Sequence, residues 1–280
     1  NLRTIAMKNI LVIGLGLIGG SIAKSLNKTE FNVFGMDTNS QTIEKAINDK
    51  AIVQKFNNIE EFLAHNDDGI IVFATPPSTI IEIIESNRKI LNTNFSITDV
   101  SSSKLNISKF LNGYEPKNFV FSHPIAGSHK SGYENSSEGF FNQKKLIISK
   151  YFSHDEHYQR IHDLWISLKA DVLSLSVEEH ENFFSATSHL PHLISYALIK
   201  TINEKGIDTE KFSAGGLSEF IRLAKSSEIL WSDIFKSNLE NIEEDTKAFI
   251  KNMHELLEEA SKNDSKSLLK KIQLIKKGVS

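Results

Sequence analysis

Gly14-Leu15-Gly16-Leu17-Ile18-Gly19 directly follows an apolar run, residues 9–13, and leads into a helix-forming stretch over 21–26. Three glycines at that spacing between a strand and a helix have a specific steric use. Gly14 would make a tight turn, Gly16 would let backbone approach a pyrophosphate, and Gly19 would let helix and strand pack closely. The anion would rest on the helix N-terminus, where Leu17 and Ile18 lie. The next apolar run, 32–36, stops at Asp37, eighteen residues past Gly19. A carboxylate there accepts from both ribose hydroxyls of an adenosine. It repels a 2′-phosphate, and no Arg stands at Thr38, Asn39 or Ser40 to offset that. NAD is therefore expected over NADP. A ligand-free glycine turn and an ordinary turn aspartate are the plainer alternatives.

Short β-branched or apolar runs continue at 69–74, 96–99, 119–122, 146–149 and 171–175, alternating with amphipathic stretches. That is the βαβ rhythm of a doubly wound parallel sheet. The runs at 9–13 and 69–74 are apolar throughout, as strands covered on both faces should be. Ala74-Thr75-Pro76-Pro77 forms a turn at the carboxyl edge, where ligands of open α/β sheets bind, so Ala74, Thr75 and Pro76 are expected to line the cofactor. A purely structural Pro-Pro turn is the alternative.

From Val177 the period becomes helical. Phe235, Leu239, Ile242, Phe249, Met253, Leu256 and Ala260 predict one long helix with a single buried stripe. Asp264 looks like the N-cap of a last helix over Ser265–Lys277, with Leu268, Leu269, Ile272 and Ile275 on one face. The expected architecture is α/β. A Rossmann-type doubly wound domain over 1–176 is followed by an all-helical substrate and dimerisation domain over 177–280.

Three further segments carry chemistry: Asp99-Val100-Ser101-Ser102-Ser103-Lys104, His123-Pro124-Ile125-Ala126-Gly127-Ser128 and Ser188-His189-Leu190-Pro191-His192. Arg222-Leu223-Ala224-Lys225-Ser226 and Trp231 follow them. In this order and spacing, from Met7 to about Ser261, the set resembles the prephenate dehydrogenase family, which includes arogenate and cyclohexadienyl dehydrogenases. The resemblance implies NAD-dependent oxidative decarboxylation of prephenate to 4-hydroxyphenylpyruvate in tyrosine biosynthesis. Arogenate, or both substrates, is the alternative within the family.

That chemistry needs a base for a ring hydroxyl and a clamp for a carboxylate. The resemblance implies His123 as base, a role open to a neutral imidazole near pH 7. It implies Ser102 as a second hydrogen-bonding group on the hydroxyl. A turn histidine and a helix N-cap serine are the plainer readings of the two. Arg222 can grip a carboxylate with its planar fork, unless it merely pairs with Glu219 or Glu228 on a solvated face. Ser226 lies four residues further on the same helix face, and Trp231 would wall the pocket or belong to the core. Ser128 and Gly215 complete the expected substrate contacts, Gly215 with Gly216 being like the family's subunit-boundary glycines. Ser188 and His192 are spaced to share a helix face. That spacing also suits two metal ligands, but no carboxylate completes a set, and no metal is expected. Where the family often has an acid, two positions after Gly127, this chain has His129.

Composition removes other classes. With 280 residues, no Cys and a net charge of −3, the chain offers no disulfide framework, thiolate metal site or cysteine nucleophile. Its 32 basic and 35 acidic residues give no positive excess for nucleic acid. The longest apolar run, residues 10–18, is too short and too glycine-rich for a bilayer. The expected partner is a small-molecule substrate, in the cytoplasm. The helical half carries more apolar residues than one small core needs, which predicts a homodimer built on it. Nothing flanking the two domains has the size of a regulatory or mutase domain, so a monofunctional enzyme is expected. Two other readings remain. One is a β-hydroxyacid or imine-reducing enzyme, which would carry a lysine on the first helix of the second domain. The other is a catalytically silent nucleotide-binding protein, which would have lost His123, Ser102 or Arg222.

Overall fold

The computed structural model describes residues 9–26, 31–126, 131–212, 215–262 and 265–279. Eight strands form one sheet in the order β3-β2-β1-β4-β5-β6-β7-β8. They are β1 (Asn9–Ile13), β2 (Asn32–Met36), β3 (Gln54–Lys55), β4 (Ile70–Phe73), β5 (Ser96–Asp99), β6 (Phe119–Pro124), β7 (Lys145–Ser149) and β8 (Asp171–Ser174). Helices α1 (Leu17–Leu26), α2 (Ser40–Asn48), α3 (Ile59–His65), α4 (Pro77–Ser86), α5 (Leu105–Leu111) and α6 (Asp155–Ser167) connect them. The helical half comprises α7 (Val177–Phe184), α8 (Leu190–Glu204), α9 (Thr209–Phe212), α10 (Gly215–Ala224), α11 (Glu228–Ser237), α12 (Leu239–Ser261) and α13 (Ser265–Lys277).

The continuous apolar character of β1 and β4 has a direct cause. Ile10, Val12, Ile70 and Val72 feed one core, while Leu11, Ile13, Ile71 and Phe73 feed another on the opposite face. Each such side chain contributes about 1.5–3 kcal/mol of burial, so a charge at any of the eight positions would break the sheet's centre. β1 is flanked by β2 and β4, both parallel to it. The strand order therefore reverses between β1 and β4, and opens a crevice at their carboxyl ends.

The sheet departs from the expected all-parallel form at one place. β7 runs antiparallel to β6, with His123 opposite Ile147 and Pro124 opposite Leu146. No α-helix separates these strands among the described residues, so the chain returns alongside instead of crossing over. Pairing with β7 carries β6 through His123, two residues beyond its last partner on β5. His123 is thus a strand residue and not part of a turn.

The predicted single helix over 235–260 is two helices broken at Asn238. Its buried side-chain amide donates to the Glu181 carbonyl at 3.0 Å and contacts His189 Nδ1 at 3.2 Å. These partners lie far away in sequence, so local periodicity could not reveal the break. The stripe is not buried within the chain either. Only Ile242 of its members is fully covered, while Leu239 and Met253 are about half exposed. On the last helix Leu269, Ile272 and Ile275 also face outward. Its expected cap, Asp264, lies outside the described residues. No described helix is long and apolar enough to cross a membrane.

Candidate active site

The crevice between β1 and β4 has the form its glycines require. Gly14 adopts φ +89°, and a Cβ there would stand 2.6 Å from the Ala74 carbonyl. At Gly19 a Cβ would stand 1.9 Å from the Gly14 carbonyl. A Cβ on Gly16, by contrast, would meet nothing within 4 Å and would point into the open cradle where a ligand's phosphates would lie. Leu17 and Ile18 begin α1, so their backbone N–H groups have no partner within the helix. Asp37 does more than occupy a turn. One carboxylate oxygen accepts from Leu15 N–H at 2.7 Å and the other from Asn39 N–H at 2.8 Å, which holds the glycine loop to the end of β2.

Across the crevice, Ala74 N–H donates to the Ile13 carbonyl at 2.7 Å. The Thr75 hydroxyl is buried without a hydrogen-bond partner, and Pro76 stands as N-cap of α4. An open cradle, a helix N-terminus and an orphaned hydroxyl together fit a dinucleotide, which Gly14, Gly16, Gly19, Asp37 and Thr75 could hold.

Further along the same edge, Ser102 follows β5 and His123 is the penultimate residue of β6. Ser102 is half-buried. The N-cap of α5 is Lys104, so the capping role is not taken by Ser102. His123 Nδ1 lies 2.8 Å from His180 Nε2 on α7, and His180 Nδ1 lies 2.9 Å from Glu181 Oε1. Phe184 packs on both imidazoles, at 4.7 and 4.6 Å. Burial, then the neighbouring His180, Lys104 and His189 charges, hold His123 well below the usual imidazole range, so it is neutral at pH 7.

Beneath the two catalytic candidates lies a buried ion pair. Lys104 Nζ reaches Asp99 Oδ2 at 2.5 Å, with side-chain exposures of 1% and 0%. Lys104 Nζ also donates to the Ser122 carbonyl at 2.6 Å. Asp99 accepts from Ser101 N–H at 3.0 Å and from the Ser101 hydroxyl. Glu181 accepts Lys104 N–H at 2.6 Å and the Ser103 hydroxyl at 2.9 Å. The loop that carries Ser102 is therefore tied to the strand that carries His123 and to the first helix of the helical half. Sequence reasoning passed over His180, Glu181 and the Lys104–Asp99 pair. A histidine next to a glutamate just after the Ser176–Glu179 capping box was the one visible signal.

The segment with Ser188 and His192 is not a plain helix. α7 runs into a π-helical turn, Ser185–His189, and then into α8. Pro191 lacks an N–H and its ring crowds the carbonyl four residues earlier, which favours this wider turn. Ser188 lies within it, and its backbone carbonyl bonds His192 Nδ1 at 2.9 Å. His192 stacks on buried Trp231, with ring centroids 3.5 Å apart.

Arg222 is not gathered into the His123 cluster. It lies on α10, 58% exposed, with Nε 2.9 Å from Glu219. Its charge still reaches His192, which it helps lower after burial. Ser226 falls beyond the end of α10, where its N–H bonds the Leu223 carbonyl at 3.1 Å, so it does not share the Arg222 helix face. Gly215 opens α10 at an exposed position where a Cβ would touch nothing in the chain. Ser128 and His129 lie outside the described residues. Among the described residues no group of three or more His, Cys, Asp or Glu is placed to hold a metal ion.

A family model described as prephenate dehydrogenase, nucleotide-binding domain, matches residues 22–174. A second, described as prephenate dehydrogenase, dimerization domain, matches residues 176–274. The prephenate dehydrogenase of Lactococcus lactis is 29% identical over 272 residues, covering 94% of this chain and 74% of the relative. That of Bacillus subtilis is 27% identical over 270 residues, covering 93% and 72%. The crystal structure of prephenate dehydrogenase from A. aeolicus in complex with hydroxyphenyl propionate and NAD+ superposes with a TM-score of 0.89. Identity to it is 30%, over 99% of this chain and 100% of that one. Since the two family models together match residues 22–174 and 176–274, most of the chain, it belongs to the prephenate dehydrogenase family.

Proposed function

We propose that the chain catalyses NAD-dependent oxidative decarboxylation of prephenate to 4-hydroxyphenylpyruvate. The observation that carries this reading is the neutral His123 imidazole on a strand at the carboxyl edge, one strand over from Ser102 and on the same edge as the glycine crevice. NAD, held through Gly14, Gly16, Leu17, Ile18, Gly19, Asp37, Ala74, Thr75 and Pro76, supplies the hydride acceptor. The chain's own residues do the rest. His123 takes the ring hydroxyl proton, and Ser102 hydrogen-bonds the same oxygen and orients it. As hydride leaves that carbon, the bond to the ring carboxylate breaks, carbon dioxide departs and its electron pair completes the aromatic ring. Arg222 clamps substrate carboxylate. Its pairing with Glu219 is a surface contact worth about 0–1 kcal/mol, so a substrate anion displaces it readily. The remaining substrate contacts are assigned to Ser188, His192, Gly215, Ser226 and Trp231, with Trp231 excluding water, and by the family resemblance to Ser128.

The division of labour follows a boundary at 176/177, with cofactor bound by 1–176 and substrate closure and dimerisation assigned to 177–280. The enzyme acts as a homodimer in the cytoplasm on a small-molecule substrate. Support for the dimer comes from the exposed Ile229, Leu239, Met253 and Leu257 on α11 and α12. Light scattering at micromolar concentration should return twice the chain mass of 31.5 kDa; a monomer would remove the dimer.

The test of activity follows the absorbance of reduced nicotinamide with NAD and prephenate, with arogenate in parallel, on the native chain and His123→Ala. Turnover of prephenate that collapses in the variant is expected. Turnover of arogenate alone would reassign the substrate, and no turnover of either would refute the reading.

A further inference from the structure

His123 accepts a proton only through a ring nitrogen that is bare when substrate arrives. An isolated neutral imidazole mixes two tautomers, and only one leaves the substrate-facing nitrogen free. We propose that His180 and Glu181 are positioning residues that lock His123 in the tautomer with hydrogen on Nδ1, leaving Nε2 bare toward the substrate.

The inference follows a single line of hydrogen bonds. Glu181 is buried, and its carboxylate already accepts from Lys104 N–H at Oε1 and from the Ser103 hydroxyl at Oε2. A carboxylate has no hydrogen to give, so His180 Nδ1, 2.9 Å from Oε1, must be the donor. A neutral imidazole carries one N–H, so His180 Nε2 then holds a lone pair. His123 Nδ1 lies 2.8 Å from that lone pair and must donate to it. The one hydrogen of His123 is thereby committed, and Nε2 is left as the base.

Neutrality of both rings is what the surroundings favour. Phe184 packs against both rings of the pair. The charged or titratable groups turned toward His123 are His180, Lys104 and His189, and those turned toward His180 are Glu181, Lys104 and Asp99. Burial outweighs the carboxylates at His180 and keeps it below the ordinary imidazole range. Asn238 donates to the Glu181 backbone carbonyl at 3.0 Å, so the helix break described above also steadies the end of the line.

The proposal rests on His123 being the base, but its first test does not need turnover. Nitrogen-15 spectra of the ligand-free protein with labelled histidine side chains, assigned with His123→Gln, should show His123 neutral with hydrogen on Nδ1. Hydrogen on Nε2 would overturn the proposal, whatever the activity. His180→Phe keeps a ring but removes the acceptor. It should return His123 to a mixed tautomer and lower kcat on the order of 10²-fold, with KM for prephenate changed less than about threefold. His180→Gln places an amide oxygen near the lost lone pair and should restore most of kcat and the Nδ1 tautomer. A native kcat in His180→Phe, or equal losses in both variants with the tautomer unmoved, would overturn the lock. Absence of turnover in the native chain would instead refute the functional reading, and the tautomer would still be read.

Discussion

Lys104→Met tests the buried pair beneath the site. Lys104 Nζ and Asp99 Oδ2 are 2.5 Å apart with almost no exposure. At an effective dielectric of about 20 their attraction is about 7 kcal/mol, which is offset by a desolvation cost of several kcal/mol for each ion. The intact pair therefore contributes little net stability. Removing one member is different, because Asp99 is then left charged and dry, and the Ser122 carbonyl loses its donor at 2.6 Å. The expected loss is about 3–5 kcal/mol. Urea titration followed by fluorescence reads it through Trp165 near the sheet and Trp231 in the helical half. Adding Asp99→Asn to Lys104→Met removes the stranded charge and should recover about 2 kcal/mol or more. A loss under about 1 kcal/mol in Lys104→Met, or a strictly additive double variant, would refute the picture of a dry, charged pair.

Three further outcomes follow from the geometry. Burial pushes His189 from 6.5 down to about 4, so between those pH values the unfolded chain holds a proton that the folded chain lacks. Stability should therefore fall as pH drops through that window, by at most about 3 kcal/mol from this group, and level off below it. His189→Gln should flatten the urea midpoint by that share, and unchanged slopes would exclude His189 as a source. Gly19→Ala forces a Cβ against the Gly14 carbonyl and should cost about 1–3 kcal/mol of stability. Gly16→Ala, with open space around its Cβ, should leave stability intact while weakening NAD about tenfold by titration. If both variants unfold alike, Gly16 does not front a ligand. Trp231→Leu removes the stack on His192, worth about 0.5–1.5 kcal/mol, and should raise KM for prephenate several-fold with kcat nearly constant. A loss confined to kcat would contradict that role.

What was legible in the chain was what is local. β1 and β4 are readable because both faces are covered, and Gly14, Gly16 and Gly19 because one turn imposes all three. β3 is only two exposed polar residues held by backbone pairing to Phe34 and Gly35, so it left no pattern. The break at Asn238 and the line from His123 through His180 to Glu181 depend on residues dozens of positions apart, which no window captures. Ser226 was misplaced for a local reason, since α10 ends at Ala224 just before it. His123 and Ser102 stood out only because the whole set of motifs was present, and periodicity alone marked neither.

Asp37 constrains how this enzyme could change. Both of its oxygens already hold backbone, at Leu15 and Asn39, before any ribose arrives. On the proposed reading of Asp37 as the ribose ligand, cofactor preference and the shape of the glycine loop are thus written into one side chain. A change such as Asp37→Ser, made to admit a 2′-phosphate, would release the loop at the same stroke. A lineage or an engineer moving toward NADP would need a second substitution to re-anchor Leu15, and adaptation by single steps would pass through a form that binds neither cofactor well.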